Sequence, residues 1–314
     1  MRPIWQAPTG SVAGPELCVA VTLAGGVGAM GLTWTPPEEA ARVVREVLAE
    51  VGESPFLGNF ALAFPPEALT ASLEAGLPIV SFSWGDPRPW LPLCRSFGAK
   101  IAVQIANLDG AKAMSDAGAD FLIAQGVEAG GHVQSTTALF DLLPQVAELG
   151  IPIIAAGGLV NGHDIRLALD AGASAAMLGT RFVATRESRA HPKYKESLVN
   201  GKTTALTTCF DGGWPSAPHR VLRNSTLERW EASGCPASGG RPGENETLGH
   251  APGGAIFRYE DTAPRIGFEG EIEAMCLYAG TGVSRIDDLP SAAELMVRLR
   301  REAGLSATDG TLSP

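Results

Sequence analysis

A lone histidine closes a glycine-rich turn in this chain: Ala124-Gln125-Gly126-Val127-Glu128-Ala129-Gly130-Gly131-His132. Imidazole is the side chain whose ordinary pKa, about 6.5, suits a base or proton shuttle at neutral pH. The paired glycines Gly130 and Gly131 let the backbone turn sharply and come close to a ligand. A short apolar run ends at Ala124, which predicts a buried strand leading into the turn. In folds with parallel strands the C-terminal strand ends carry the chemistry. His132 is therefore the candidate catalytic residue; the alternative is a hydrogen-bonded loop histidine. Glu128 either tunes His132 or caps the turn by accepting backbone N–H groups, and capping is the favoured reading. Gln125 either reaches a ligand or is satisfied by backbone.

Two more strand ends are rich in glycine. One runs Ile153-Ile154-Ala155-Ala156-Gly157-Gly158, the other Ala176-Met177-Leu178-Gly179-Thr180. Backbone N–H groups at Gly157, Gly158 and Gly179, with the Thr180 hydroxyl, suit a phosphate held by main chain after the last two strands of a barrel. Flavin mononucleotide (FMN) is a phosphate-bearing cofactor that fits such a barrel. Gln104 ends another strand and is placed to face the flavin. Ser81, Ser83 and Trp84 end the strand before it and are candidates for the pocket wall, Trp84 more for packing than for specificity. Lys100 lies at the far end of its strand and is structural. His163 belongs to a helix start, and His191, His219 and His250 lack metal-ligand spacing, so no metal is expected.

The elements that must position these residues alternate along the chain. Strands are predicted at 4–6, 29–32, 56–62, 79–82, 101–104, 121–124, 153–155 and 175–178. Helices are predicted at 15–23, 38–51, 66–75, 110–117, 137–149 and 164–171. The phrases Glu74-Ala75-Gly76, Asp116-Ala117-Gly118 and Asp170-Ala171-Gly172 mark repeated helix ends. Eight such units predict an α/β fold, a (β/α)₈ TIM barrel. A doubly wound sheet is disfavoured, because the glycines of 23–32 follow a helix and lead into a strand, the reverse of a dinucleotide fingerprint. Residues 1–202 and 271–304 are assigned to the barrel. Residues 203–270, dense in Gly and Pro, interrupted by one helix-like piece at 225–233 and carrying Trp214, Trp230, Phe257 and Tyr259, are assigned to a small irregular lid inserted before a final helix at 291–303. Residues 305–314 are expected to be a flexible tail.

The 314 residues are 45% hydrophobic with a net charge of -10, which suits a large core and argues against a nucleic-acid binder. No stretch approaches the roughly 18 apolar residues of a membrane span, and the N-terminus lacks a signal-peptide core. Five dispersed cysteines suit a reducing cytoplasm.

Taken together, the segments 3–8, 23–31, 58–59, 125–132, 155–159, 178–182 and 277–283 resemble the nitronate monooxygenase family, the 2-nitropropane dioxygenase-like FMN enzymes. The most specific of them is Gln125-Gly126-Val127-Glu128-Ala129-Gly130-Gly131-His132. The resemblance implies oxidation of an alkyl nitronate or nitroalkane by O2 to a carbonyl compound and nitrite. It makes His132 the base or proton handler. It implies flavin contacts at Ala7, Pro8, Thr9, Asn59, Gln125, Gly130, Gly158, Met177, Leu178, Gly179 and Thr180. The chain departs from the family pattern at Thr9, where Met is frequent, at Val133, where Arg is frequent, and at Thr281, where Gln is frequent. The alternative function is an FMN-dependent NAD(P)H reductase of the enoyl-ACP or quinone type, which shares the Glu-Ala-Gly-Gly-His phrase. The basic run Arg181, Arg186, Arg189, Lys193 and Lys195 would then meet an acidic carrier. A third reading is a non-catalytic phosphate-binding barrel. The oligomeric state stays open, with a homodimer among the options, as does the reach of Arg220, Arg223 and Arg241 toward an anionic substrate.

Overall fold

The structure, a computed structural model, describes residues 1–306. Of the tail expected at 305–314, residues 307–314 lie outside the described residues. Eight parallel strands form one sheet: β1 (Ile4–Gln6), β2 (Gly28–Gly31), β3 (Phe56–Ala61), β4 (Ile79–Ser83), β5 (Lys100–Ile105), β6 (Phe121–Gln125), β7 (Ile153–Ala156) and β8 (Ala175–Leu178). Each strand pairs with its sequence neighbour, β8 pairs with β1, and a parallel bridge from Trp5 to Val27 closes the ring. This is the predicted (β/α)₈ barrel, with strand bounds within two residues of those expected.

The period of two along a strand sorts side chains into two layers. Trp5, Ala29, Leu57, Ile79, Ala102, Ile123, Ile154, Ala175 and Met177 fill the barrel interior. Their neighbours Leu122, Ala124, Ile153, Ala155, Ala176 and Leu178 face outward and pack with the helix Pro15–Leu23 and the final helix Ala292–Glu302. The last inward position of a strand therefore decides what meets the barrel mouth. Those positions are Ala61 on β3, one inward step past Asn59, Ser83 on β4, Gln104 on β5, Gln125 on β6, Ala156 on β7 and Met177 on β8. Polar residues thus gather at the ends of several strands that are otherwise apolar.

Helix ends obey local rules. Asn161 and Ser291 each form a capping box, with Asp164 and Glu294. The repeated helix-end glycines sit in the left-handed region, as at Gly118 (φ 84°) and Gly172 (φ 98°). Lys100 pairs with Asp120 at 2.8 Å on the exposed far end of β5. A short helix, Leu91–Ser96, escaped the sequence reading because Pro92 and a span of six residues give too little periodicity.

The 203–270 stretch holds the helix Ser225–Ala232, within one residue of the helix-like piece expected at 225–233, and two small antiparallel sheets where irregular chain was expected. In one sheet Thr204–Thr207 pairs with His219–Leu222, which pairs in turn with the two-residue strand Gly131–His132. The other joins Thr247–Ala251, Gly254–Phe257 and Glu269–Gly270. Pairing across some ninety residues leaves no local signature, so a pattern reading misses it. Its consequence is direct: the candidate histidine is part of a strand that this stretch supplies with a partner.

Candidate active site

A cavity of about 510 Å³ opens at the C-terminal ends of the barrel strands. Ala7, Pro8, Thr9, Asn59, Gln104, Gln125, Gly130, Gly131, His132, Gly157, Gly158, Met177, Gly179 and Thr180 all line it. Leu178 does not. It is fully buried on the outward face of β8 among the helices, because it alternates with the inward Met177. Only its carbonyl is near the mouth, accepting from the Ala7 N–H at 2.9 Å.

His132 stands among rings. The Trp214 ring lies 4.3 Å away at an interplanar angle of 32°, and Trp84, His219 and Tyr278 lie at 6.0, 5.4 and 5.6 Å. Its Nε2 is buried with no hydrogen-bond partner among the described residues. Burial, and secondarily the neighbouring His219, push the imidazole pKa down to about 3, so the ring is neutral at pH 7. His219 is fully buried and directly opposite His132 in the strand register. Its Nε2 accepts the Phe210 N–H at 3.2 Å, and its Nδ1 donates to the Ala217 carbonyl at 2.9 Å. That pair of bonds fixes one neutral tautomer, and burial lowers the His219 pKa too.

These shifts make a prediction. The unfolded chain protonates His132 near pH 6.5, the folded chain only near pH 3. Between those values the unfolded state binds more protons, so stability falls as pH falls through that window, by up to about 1.4 kcal/mol per pH unit. His132→Gln should flatten this dependence, read as a smaller drop in denaturation midpoint from pH 7 to pH 4 than in the native protein. Equal slopes would mean that His132 titrates normally in the folded state.

An amide network holds the histidine turn. Gln125 Nε2 donates to the His132 carbonyl at 3.2 Å, and its Oε1 accepts from the Gln134 N–H at 3.0 Å. Gln104 Nε2 donates to Gln134 Oε1 at 2.7 Å, which also accepts the Trp84 N–H at 3.2 Å. Gln125 thus serves backbone, the plainer of its two readings. Glu128 caps: its Oε2 accepts the first N–H of the helix Leu139–Ala147, from Leu139, at 3.0 Å. Asn59 bonds Ser81 Oγ at 2.8 Å, which removes Ser81 from the wall, while Ser83 and Trp84 remain on it.

The glycines are explained partly by packing rather than by ligand approach. A Cβ on Gly130 would lie 2.4 Å from the Gly280 nitrogen, and one on Gly158 2.9 Å from the Glu128 Cβ. Gly179 is different, with nothing nearer than the Thr9 Cγ2 at 3.4 Å, so its face stays open to the cavity. Thr180 Oγ1 accepts the Gly280 N–H at 2.9 Å, which leaves its own proton free to donate. Thr9 Oγ1 is buried and unpartnered among the described residues.

The basic run is not a patch. Arg181 is buried against Asp288, Arg186 meets Glu294, Arg189 meets Glu16, Lys193 meets Glu273, and Lys195 donates to the Arg186 carbonyl. None of the three arginines left open lines the cavity. Arg220 braces the Val127 carbonyl at 2.8 Å, Arg223 pairs with Glu231, and Arg241 pairs with Asp211. His219, Gln134, Trp214 and Tyr278 were not read as site residues. Tyr278 lies in the 277–283 segment that resembles the family, the other three carry no motif, and strand pairing and loop packing bring all four to His132.

Among the described residues no helix is long and apolar enough to cross a membrane. The family model described as Nitronate monooxygenase matches residues 59–302. The chain is 30% identical to a nitronate monooxygenase of Pseudomonas aeruginosa, over 96% of each chain. It is also 30% identical to a Mycobacterium tuberculosis protein named (3aS,4S,5R,7aS)-5-hydroxy-7a-methyl-1-oxo-octahydro-1H-indene-4-carboxyl-CoA dehydrogenase, over 94% of this chain and 91% of that one. Among solved structures, FabK from Thermotoga maritima superposes with a TM-score of 0.81 at 28% identity, covering 96% of this chain and 93% of that one. A barrel with a glycine-turn histidine at its mouth, matched over most of its length by that family model, belongs to the nitronate monooxygenase family and is an oxidoreductase.

Proposed function

We propose that this protein oxidises nitronates with O2 to a carbonyl compound and nitrite, using FMN held at the barrel mouth and His132 as the proton handler. The observation that carries this reading is the neutral, unpartnered imidazole of His132 on the wall of a cavity at the strand ends. The residues present fit a phosphate-ended flavin. The cavity volume is in the range of small-molecule sites. The open Gly179, the free Thr180 proton and the orphaned Thr9 hydroxyl suit an anionic group at one end, and amides at Asn59 and Gln104 suit a polar ring edge. When bound, the flavin supplies the redox chemistry, taking electrons from the nitronate and passing them to O2.

The chain's own residues do the rest. A nitronate spreads its charge over carbon and two oxygens. His132, neutral in a ring cluster, donates N–H to a nitronate oxygen, or takes the α-proton of a neutral nitroalkane, where the nitronate anion formed beside it offsets the burial that lowers its pKa. Gln125, Gln134 and Arg220 hold the turn that presents it. The 203–270 stretch is the lid: it excludes water from His132 with Trp214 and orients it through the 219–222 strand. With four of five cysteines buried and free, we place the protein in the cytoplasm.

Anaerobic mixing of the flavin-loaded protein with a nitronate tests the reading. Loss of the oxidised flavin band with nitronate alone, and nitrite on admitting air, is the expected result. Bleaching by NAD(P)H with silence toward nitronates would move the chain to the reductases. A second prediction concerns the cofactor. Thr180→Val strands the Gly280 N–H and removes the hydroxyl donor, so flavin affinity should fall roughly tenfold, the effect of about one hydrogen bond. Equilibrium titration of the apoprotein with FMN measures it, and an unchanged affinity would place the phosphate elsewhere.

A further inference from the structure

Beyond His132 the mouth of the cavity is walled by large rings. Trp84 and Trp214 meet edge to face at 4.8 Å, and Trp214 also meets Phe64 at 5.0 Å and Trp34 at 6.4 Å. Trp34 is 60% exposed although it lines the cavity, a costly position for an indole that only filled a core. Trp84 holds a left-handed backbone (φ 58°), an unfavourable state for a bulky residue. It is kept there by its N–H bond to Gln134, within the network that holds the His132 turn. Tyr278 offers this space its ring only, because its hydroxyl donates to the Asp261 carbonyl at 2.7 Å.

Such a wall sorts what enters. Aromatic faces carry partial negative charge and edges partial positive charge, so they repel an anion laid on them and attract the edge of another ring. An anionic head is thereby directed toward the imidazole N–H, and the rest of the molecule toward the indoles. A small aliphatic tail would leave the indole surface wet, whereas a flat ring covers it and gains the edge and face contacts as well. Trp214 is the indole nearest His132, so it has the greatest leverage over which tails fit.

We infer that the outer part of this cavity is a subsite for a flat aromatic ring, with Trp214 as its specificity-determining residue, and that the preferred substrate carries an aryl group on the carbon bearing the nitronate. The ring subsite stands on the wall itself; the nitronate head rests on the function proposed above.

The test uses the flavin-loaded protein. The kcat/KM for the nitronate of phenylnitromethane should exceed that for ethylnitronate by about tenfold or more, as ring contacts added to buried area predict. Trp214→Ala should lower that ratio roughly tenfold, while Trp214→Phe keeps it within about threefold, because phenylalanine restores a ring face. Calorimetric titration with phenylacetate and propionate reads the subsite without turnover. Phenylacetate should bind more tightly, and Trp214→Ala should abolish the difference. Equal binding of the two acids by the native protein, or a preference that survives Trp214→Ala, overturns the inference. Loss of the preference in both variants shows that a ring at 214 is not what confers it and also counts against it. If no nitronate yields nitrite while phenylacetate still binds in a Trp214-dependent way, the nitronate reading fails and the ring subsite stands.

Discussion

Under the proposed function, replacing His132 by glutamine should lower kcat/KM for nitronates by roughly 10²- to 10⁴-fold, the usual contribution of a positioned acid–base group, while flavin content stays unchanged. The size of the effect follows from the surroundings. His132 is the one imidazole among the described residues that line the cavity, its Nε2 has no partner there, and burial makes any bond it forms with substrate strong. Glutamine keeps a polar end but cannot take up a proton. The loss should therefore be larger for a neutral nitroalkane, which must be deprotonated, than for a preformed nitronate, which needs only a donor. Steady-state rates with each form, beside flavin content, decide it. Equal modest losses for both forms would make His132 a binding group, and no loss would return it to an ordinary loop histidine.

Gly130→Ala damages the protein more than Gly131→Ala, although Gly131 is the glycine with the unusual backbone. At Gly130 the added Cβ lies 2.4 Å from the Gly280 nitrogen and 2.6 Å from the Ala279 carbonyl carbon, main-chain atoms with no rotamer to move. Overpacking of this kind costs about 1–3 kcal/mol, and two backbones held in contact put it near the upper end. Gly280 also donates to Thr180, and Thr281 donates to the Glu128 carbonyl, so separating the turns disturbs the end of the cavity where the cofactor phosphate is proposed to sit. Melting should drop by roughly 5–10 °C, with weaker FMN retention. Gly131 has φ 77° and open space around its Cβ position, so alanine there meets only the left-handed penalty, about 1–2 kcal/mol. Thermal melts and FMN titrations of both variants give the order, and the reverse order would show that the 130–280 contact is slack.

Much of this architecture could be read before any coordinates. The eight barrel strands are short apolar runs bounded by turn residues, and hydrophobic burial with period two is a local property of sequence. Glycine past a helix end and Asn or Ser before a helix start are equally local, which is why the 161 and 291 caps and the 118 and 172 helix ends match their patterns. His132 was legible because its turn is written in consecutive residues. So were the polar strand ends Gln104 and Gln125, since a polar residue closing an apolar strand has to face either water or a ligand, whereas Asn59, inside its strand, was singled out only through the family resemblance. Leu178 marks the limit of that reading: a motif placed it beside the flavin, but strand alternation turns it toward the helices.

What surrounds His132 was decided by tertiary structure. The pairing of His132 with His219, the stacking of Trp214 on the imidazole, and the bracing of the turn by Gln134 and Arg220 all join residues that no shared period or motif links. The charges of 181–195 read as a basic patch along the chain, yet in space each cation meets a carboxylate or a carbonyl from its own surroundings. Sequence alone determined the barrel and the histidine at its mouth, because those follow from burial and turn chemistry between near neighbours. Tertiary structure decided that the histidine is neutral, unpartnered and walled by indoles, because desolvation depends on which distant segments close over a group.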